Sequence, residues 1–157
     1  MAVEKEKTVL PRIEADSISR ALLVWLNKWP EKPVSYINLN FINDDEPGMA
    51  LASPQGTTLT KTYVRGAYIA EYGFKLVYRI QPGSSNNNRL NALETLDAFA
   101  DWIITNRPLP ELSDGKRAMK FKRSTIEPNA TFFARYENGD EDYQILMTLD
   151  YYSAFKA

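Results

Sequence analysis

Apolar residues recur with helical spacing early in the chain. Ile18, Ala21, Leu22, Trp25, Leu26 and Trp29 fall at i, i+3, i+4, i+7, i+8 and i+11, which is one face of an amphipathic helix. Asp16 or Ser17 stands where a capping side chain would accept from free backbone N–H groups. Pro30 and Pro33 stop the helix. Leu93, Leu96, Ala100, Ile103 and Ile104 describe a second helix over 88–106, ended by Pro108 and Pro110.

The rest of the pattern is strand-like. In VSYINLNFI, 34–42, Tyr36, Asn38 and Asn40 alternate with Ile37, Leu39 and Phe41, predicting a half-buried strand. NDDEPG, 43–48, is a turn by composition, and a short strand follows near 49–53. Residues 58–81 are rich in β-branched and aromatic side chains, with Phe74, Leu76, Tyr78 and Ile80 in alternation. Gly66 or Gly73 marks a bend or bulge in so long a run. QPGSSNNN then breaks the sheet and supplies caps for the second helix. Strands over 118–126, 131–137 and 142–152 complete the chain. The order α-β-β-(β)-α-β-β-β predicts an α+β fold, two helices packed on a mostly antiparallel sheet. A length of 157 residues suits one domain, 1–157, with the charged segment 1–12 as a flexible arm.

The stretch ENGDEDY, 137–143, holds four carboxylates around Asn138-Gly139. Asn-Gly favours a two-residue type I′ hairpin, in which both residues take positive φ. That register sets Arg135 against Asp142 as a cross-strand ion pair and places Phe132, Ala134, Tyr143, Ile145 and Met147 on one apolar face. The tip, with Asp140 and Glu141, is then a solvated turn. A calcium loop fits worse, because the twelfth position counted from Asn138 is Leu149 rather than Glu.

Composition narrows the chemistry. The chain contains neither cysteine nor histidine, so thiolate, disulfide, Ser-His-Asp and Cys-His machinery are all excluded. No cofactor-binding motif and no metal-ligand set is legible. A net charge of −1 gives no general attraction to nucleic acid or anionic membrane. No apolar run approaches membrane-spanning length and no signal-peptide core opens the sequence, so a soluble cytoplasmic chain is expected.

Three constellations remain. Glu94, Asp97 and Asp101 share a helix face; they read as a catalytic carboxylate pair or as a solvated acidic flank, and the flank fits better because no partner motif accompanies them. KRAMKFKR, 116–123, sets Lys116, Lys120 and Lys122 on one strand face and Met119 and Phe121 on the other. It reads as a phosphate-binding row with a stacking aromatic or as a solvated face balanced by nearby acids, and the solvated face is preferred. Trp102 points away from Leu93 and Ile104, and Leu23 lies off the first helix's stripe. Such residues are covered either by a second layer of the same core or by another subunit, which makes Trp102 an interface candidate.

Taken whole, the chain resembles the small minor-capsid or tail-terminator proteins of long-tailed bacteriophages. The resemblance is carried by SISRALLVWLNKW, by AYIAEYGFKLVYRIQPGSSNNNRLNALETLDAFADWI and by ATFFARYENGDEDYQILMTLDYY, and rests on element order rather than on a catalytic motif. It implies a non-enzymatic α+β virion subunit, assembled in the host cytoplasm as a homo-oligomeric ring, typically a hexamer. Such a ring closes the head-proximal end of the tail, contacting the tail tube protein and the head completion or connector protein. A head–tail joining or minor capsid subunit, or a non-catalytic protein-binding module, is the alternative. DNA would pass through such a ring without specific binding, so a channel wall would be acidic or neutral. Asp44, Asp45 and Glu46, with Asp140 and Glu141, are the candidates for lumen or rim, and Lys120 and Lys122 for a neighbouring subunit or the outside.

Overall fold

The computed structural model describes residues 8–9, 12–39, 42, 48–52, 57–105, 111–113, 117–126 and 130–155. Among them the chain runs β1 (Thr8–Val9), α1 (Arg12–Leu26), β2 (Ile37–Leu39), β3 (Gly48–Ala52), β4 (Thr57–Thr62), a 3-10 turn (Val64–Gly66), β5 (Tyr68–Ile80), α2 (Asn86–Thr105), β6 (Glu111–Ser113), β7 (Arg117–Ile126), β8 (Thr131–Arg135) and β9 (Glu141–Phe155). The class is the expected α+β, two helices on a sheet that is antiparallel except where β2 pairs with β3.

The long strands β5 and β9 form the spine. They pair antiparallel from Tyr68↔Ser153 to Ile80↔Glu141. Each carries two shorter strands, end to end, on its outer edge. On β5 these are β4 along 68–72 and β3 along 75–79. On β9 they are β7 along 147–155 and β8 along 141–144.

Period-two alternation fixes which face is buried. Ala70, Tyr72, Phe74 and Leu76 of β5 lie beside Tyr151, Leu149, Met147 and Ile145 of β9, and all are buried. α2 lies over β5, β7 and β9, while α1 packs against β2, β4 and β6. One core unites Ile18, Leu22, Leu26 and Trp29 of the first helical segment with Leu96, Phe99 and Ile103 of α2 and these strand residues. Each such side chain stabilises the fold by about 1.5–3 kcal/mol relative to exposure. A buried hydroxyl pair, Ser19 Oγ and Tyr72 Oη at 2.5 Å, ties α1 to β5.

Several boundaries differ from the sequence pattern. α1 starts at Arg12, so Asp16 and Ser17 lie inside it rather than at its cap. Within the expected arm, Thr8 and Val9 pair with Leu59 and Thr58. Of the strand expected over 34–42, the described part is Ile37–Leu39, and residues 40 and 41 lie outside the described residues. Asn27 explains where the strand starts: its amide donates to Ile37 O (3.1 Å) and accepts from Ile37 N (2.7 Å), binding β2 to the end of α1. The run over 58–81 is two strands, because Arg65 and Gly66 adopt φ of 69° and 79° and reverse the chain. Gly73 stays within β5, opposite Thr148. α2 opens earlier than expected, at Asn86, with Ser85 Oγ accepting from Asn88 N as an N-cap (3.2 Å). Its buried face is Ala92, Leu96, Phe99, Ala100 and Ile103, while Ile104 is 46% exposed. No helix among the described residues is long and apolar enough to cross a membrane.

Candidate functional site

Among the described residues, two carboxylates, three guanidinium groups and two phenols come together where the β8–β9 hairpin meets β5 and the start of α2. The loop is not the two-residue turn that Asn-Gly suggests. Gly139 N donates to Tyr136 O (3.0 Å) and Tyr136 N donates to Asp140 O (2.9 Å), which makes a three-residue loop, Glu137-Asn138-Gly139. Only Gly139 has positive φ, 94°. Asn138 instead turns its side chain onto the backbone, Oδ1 accepting from Asp140 N at 3.0 Å, as an Asx-turn does. A type I turn followed by a left-handed glycine is the next commonest hairpin solution.

The extra loop residue shifts the register. Arg135 stands opposite Glu141, Ala134 opposite Asp142 and Phe132 opposite Tyr143, with a bulge between Phe132 and Ala134. The expected Arg135–Asp142 pair is therefore replaced by two others. Arg79, directly across from Asp142 on β5, donates Nε to Oδ1 (2.7 Å) and Nη2 to Oδ2 (3.0 Å). Tyr136 Oη donates to the same carboxylate at 2.7 Å, and the Arg79 guanidinium lies 4.6 Å from the Tyr136 ring centre.

Glu141 points to the other face, towards α2. It accepts from Arg89 Nε (3.0 Å) and Nη2 (3.0 Å), from Arg135 Nε (3.1 Å) and from Tyr143 Oη (2.8 Å). Arg89 is anchored in turn by Gly83 O (2.8 Å) and Asn86 Oδ1 (3.1 Å).

The loop residues Glu137, Asn138 and Gly139 are exposed as expected, but the acids that follow them are not. Asp140, Glu141 and Asp142 are 3%, 2% and 3% exposed. Asp140 Oδ2 accepts from Asn138 Nδ2 at 3.1 Å, while its buried Oδ1 has no hydrogen-bond partner. The Arg89 hydrogen bonds, helped by Tyr143 and Arg135, hold the Glu141 carboxyl down at about 2. Burial, and then the bond to Glu141, pushes the Tyr143 phenol up to about 12. The bond to Asp142 raises Tyr136 likewise, and Arg79 and Arg89 are both raised, chiefly by their hydrogen bonds to Asp142 and Glu141. A general acid or base must exchange a proton near the working pH. Glu141 stays ionised with its oxygens occupied, so the arrangement anchors the hairpin and is not set up to move protons. Among the described residues no acidic group is arranged to hold a metal ion.

The other candidates scatter. Glu94, Asp97 and Asp101 are exposed on α2, and Asp97 Oδ1 accepts from Ala130 N at 3.4 Å. Trp102 is half-buried and stacks on Trp25, centroids 4.9 Å apart at 30°, so α1 covers it within the chain. Lys120 stands opposite Tyr152, and a β7 bulge between Phe121 and Arg123 interrupts the regular alternation at Lys122. Asp44, Asp45, Glu46 and Lys116 lie outside the described residues. Asp140 and Glu141, expected at a lumen or rim, are 3% and 2% exposed in this chain, and Glu141 is held by Arg89 and Arg135.

The clamp residues Arg79, Arg89, Tyr136 and Tyr143 are absent from the sequence-based candidates. One signal pointed to them. Alternation that places Tyr143, Ile145 and Met147 on the core face places Glu141 there too, and a buried carboxylate requires a cation.

Comparison with models of known protein families gives no match, and comparison with curated proteins gives none.

Proposed function

We propose that this chain is a non-catalytic structural subunit of a long-tailed bacteriophage, a tail terminator. It assembles as a ring, typically a hexamer, at the head-proximal end of the tail tube and joins the tube to the head connector. Support comes from the sequence resemblance and from one structural observation, the one-sided layering of the sheet. Both helices cover one face, while the far face keeps Phe133, Tyr136, Leu146 and Tyr152 at 36–48% exposure. A subunit with two chemically different sides suits a heterologous ring, in which each copy offers one patch to the left and another to the right. The buried ion-pair clamp fits the same role, since it stiffens the hairpin without supplying reactive groups. In this role the tail tube protein and the connector protein are the partners, and DNA passes without specific binding.

The test is electron microscopy of tail tubes assembled from the phage's tube protein with and without this chain. Rings capping one tube end, with tube growth arrested, are expected. A chain that leaves tube ends bare and tube lengths unchanged overturns the assignment.

A further inference from the structure

The sheet face away from the helices carries a lane of aromatic rings and lysines. Lys75 Nζ sits 4.5 Å from the Phe133 ring centre, and Lys75 stands opposite Leu146 in register. Lys61 Nζ sits 5.2 Å from the Tyr63 ring, which packs edge-on to Tyr152 at 6.3 Å. Neither ammonium has a carboxylate partner among the described residues. Of the acids on this face, Asp142 is held by Arg79, and Glu71 and Asp150 stand opposite one another in register, each with an interaction within the chain. The lane thus sets aromatic rings beside two lysines that have no carboxylate partner among the described residues.

The opposite side of the molecule is its complement. α2 turns Leu90, Glu94, Asp97, Asp101 and Ile104 to solvent, at i, i+4, i+7, i+11 and i+14. Leu90 and Ile104 are 56% and 46% exposed. The only basic residue of α2, Arg89, is committed to Glu141. The stripe is thus acidic with an apolar residue at each end. Its length also matches: fourteen helical steps from Leu90 to Ile104 cover about 21 Å, and the six strand steps from Ile69, which pairs with Lys61, to Lys75 cover about 20 Å.

The geometry points to a head-to-tail contact in which the acidic α2 stripe of one copy lies on the lysine–aromatic lane of the next. Resting on the reading of the chain as an assembling subunit, it adds which two faces meet. The rings and the two apolar ends supply contact area, and the lysine–carboxylate pairs fix orientation and reject the like-with-like arrangement. Because different patches meet, the contact repeats from copy to copy and closes when the rotation permits.

The test is sedimentation velocity on the full chain over a range of concentration and salt. The wild type is expected to self-associate, more weakly as salt rises. Lys61→Glu with Lys75→Glu makes both faces acidic, and Glu94→Lys with Asp101→Lys makes both basic. Lys61, Glu94 and Asp101 are exposed and Lys75 is half-buried beside Phe133, and circular dichroism checks that each variant is folded. Each variant alone is expected to associate more weakly by about tenfold or more, and an equimolar mixture of the two is expected to recover assembly. Variants that assemble like the wild type, or a mixture that stays monomeric, overturn this pair of faces and leave the subunit assignment standing. A wild type that stays monomeric at every concentration, with or without tail tubes, overturns both.

Discussion

Arg89 in the first turn of α2 and Glu141 at the first position of β9 form a two-pronged ion pair across 52 positions of sequence. Nε reaches Oε1 at 3.0 Å and Nη2 reaches Oε2 at 3.0 Å. The carboxylate side chain is 2% exposed and the guanidinium side chain 25%. Arg89 also grips Gly83 O and Asn86 Oδ1, so the loop before α2, the helix start and the hairpin are held as one unit.

Removing either partner should expose how much that unit depends on the pair. Arg89→Ala leaves a buried carboxylate short of its main cation and should be clearly destabilising. Glu141→Gln leaves no unpaired carboxylate at this position and should cost less. The double variant should be more stable than the sum of the two losses by about 1 kcal/mol or more. Urea denaturation of the four proteins measures the cycle, and additive losses would show that Arg89 acts elsewhere.

The same carboxylate gives the stability a pH dependence. Its folded value of about 2 lies below the ordinary 4.5. A depressed folded value means that the stabilisation is complete above the ordinary value and is lost as pH falls through the folded one. The loss should span pH ~5 to ~2 and amount to about 2–3 kcal/mol, the exposed Arg135 contributing least. Denaturation midpoints between pH 2 and 6 should fall for the wild type and fall less steeply for Glu141→Gln. Parallel curves would assign the acid lability to other groups.

The fold class was legible because burial and periodicity agree. The stripe from Ile18 to Trp29, along α1 and the turn after it, and the β5 alternation from Phe74 to Ile80 both pack into the core. The strand ends were not legible, because they are set by distant partners: β2 begins where the Asn27 side chain grips Ile37. The site was half legible. Asn138-Gly139 marked the hairpin, but Asn138 satisfies its turn with a side-chain bond and does not take positive φ; that moved the partners of Arg135 and Ala134 by one residue, and the bulge before Ala134 moved that of Phe132 by a second. The cations Arg79 and Arg89 come from elements remote in sequence, and hairpin pattern alone carries no information about them.

Gly139 should be the least replaceable residue of the loop. Its φ is 94°, and a Cβ built there meets nothing within 4 Å. The penalty for substitution is therefore conformational and not steric crowding. Gly139→Val should destabilise by about 1–2 kcal/mol, because a β-branched residue resists this conformation. Gly139→Asn should cost less, since asparagine tolerates the left-handed region. Thermal melts of the two variants measure the difference. Equal, negligible losses would mean that the loop refolds into another turn, which the Tyr136–Asp142 hydrogen bond should oppose.

Trp102 should behave as a core residue of this chain. It stacks on Trp25 at 4.9 Å and approaches Trp29 at 6.5 Å, and Trp29 meets Phe99 edge-on at 5.3 Å. α1 and α2 are thus joined by one aromatic cluster at their C-terminal ends. Truncation removes both the buried area and the stack, so Trp102→Ala should cost about 2–4 kcal/mol. Trp25→Ala should cost a similar amount, and the pair should show a coupling of about 1 kcal/mol. Trp102→Phe keeps a ring in the cluster and should recover part of the loss. If Trp102 served mainly a neighbouring copy, Trp102→Ala would weaken self-association while leaving the unfolding free energy of the dilute monomer unchanged. Denaturation at a concentration where the chain is monomeric separates the two outcomes, and the Trp25 stack requires the loss to appear there.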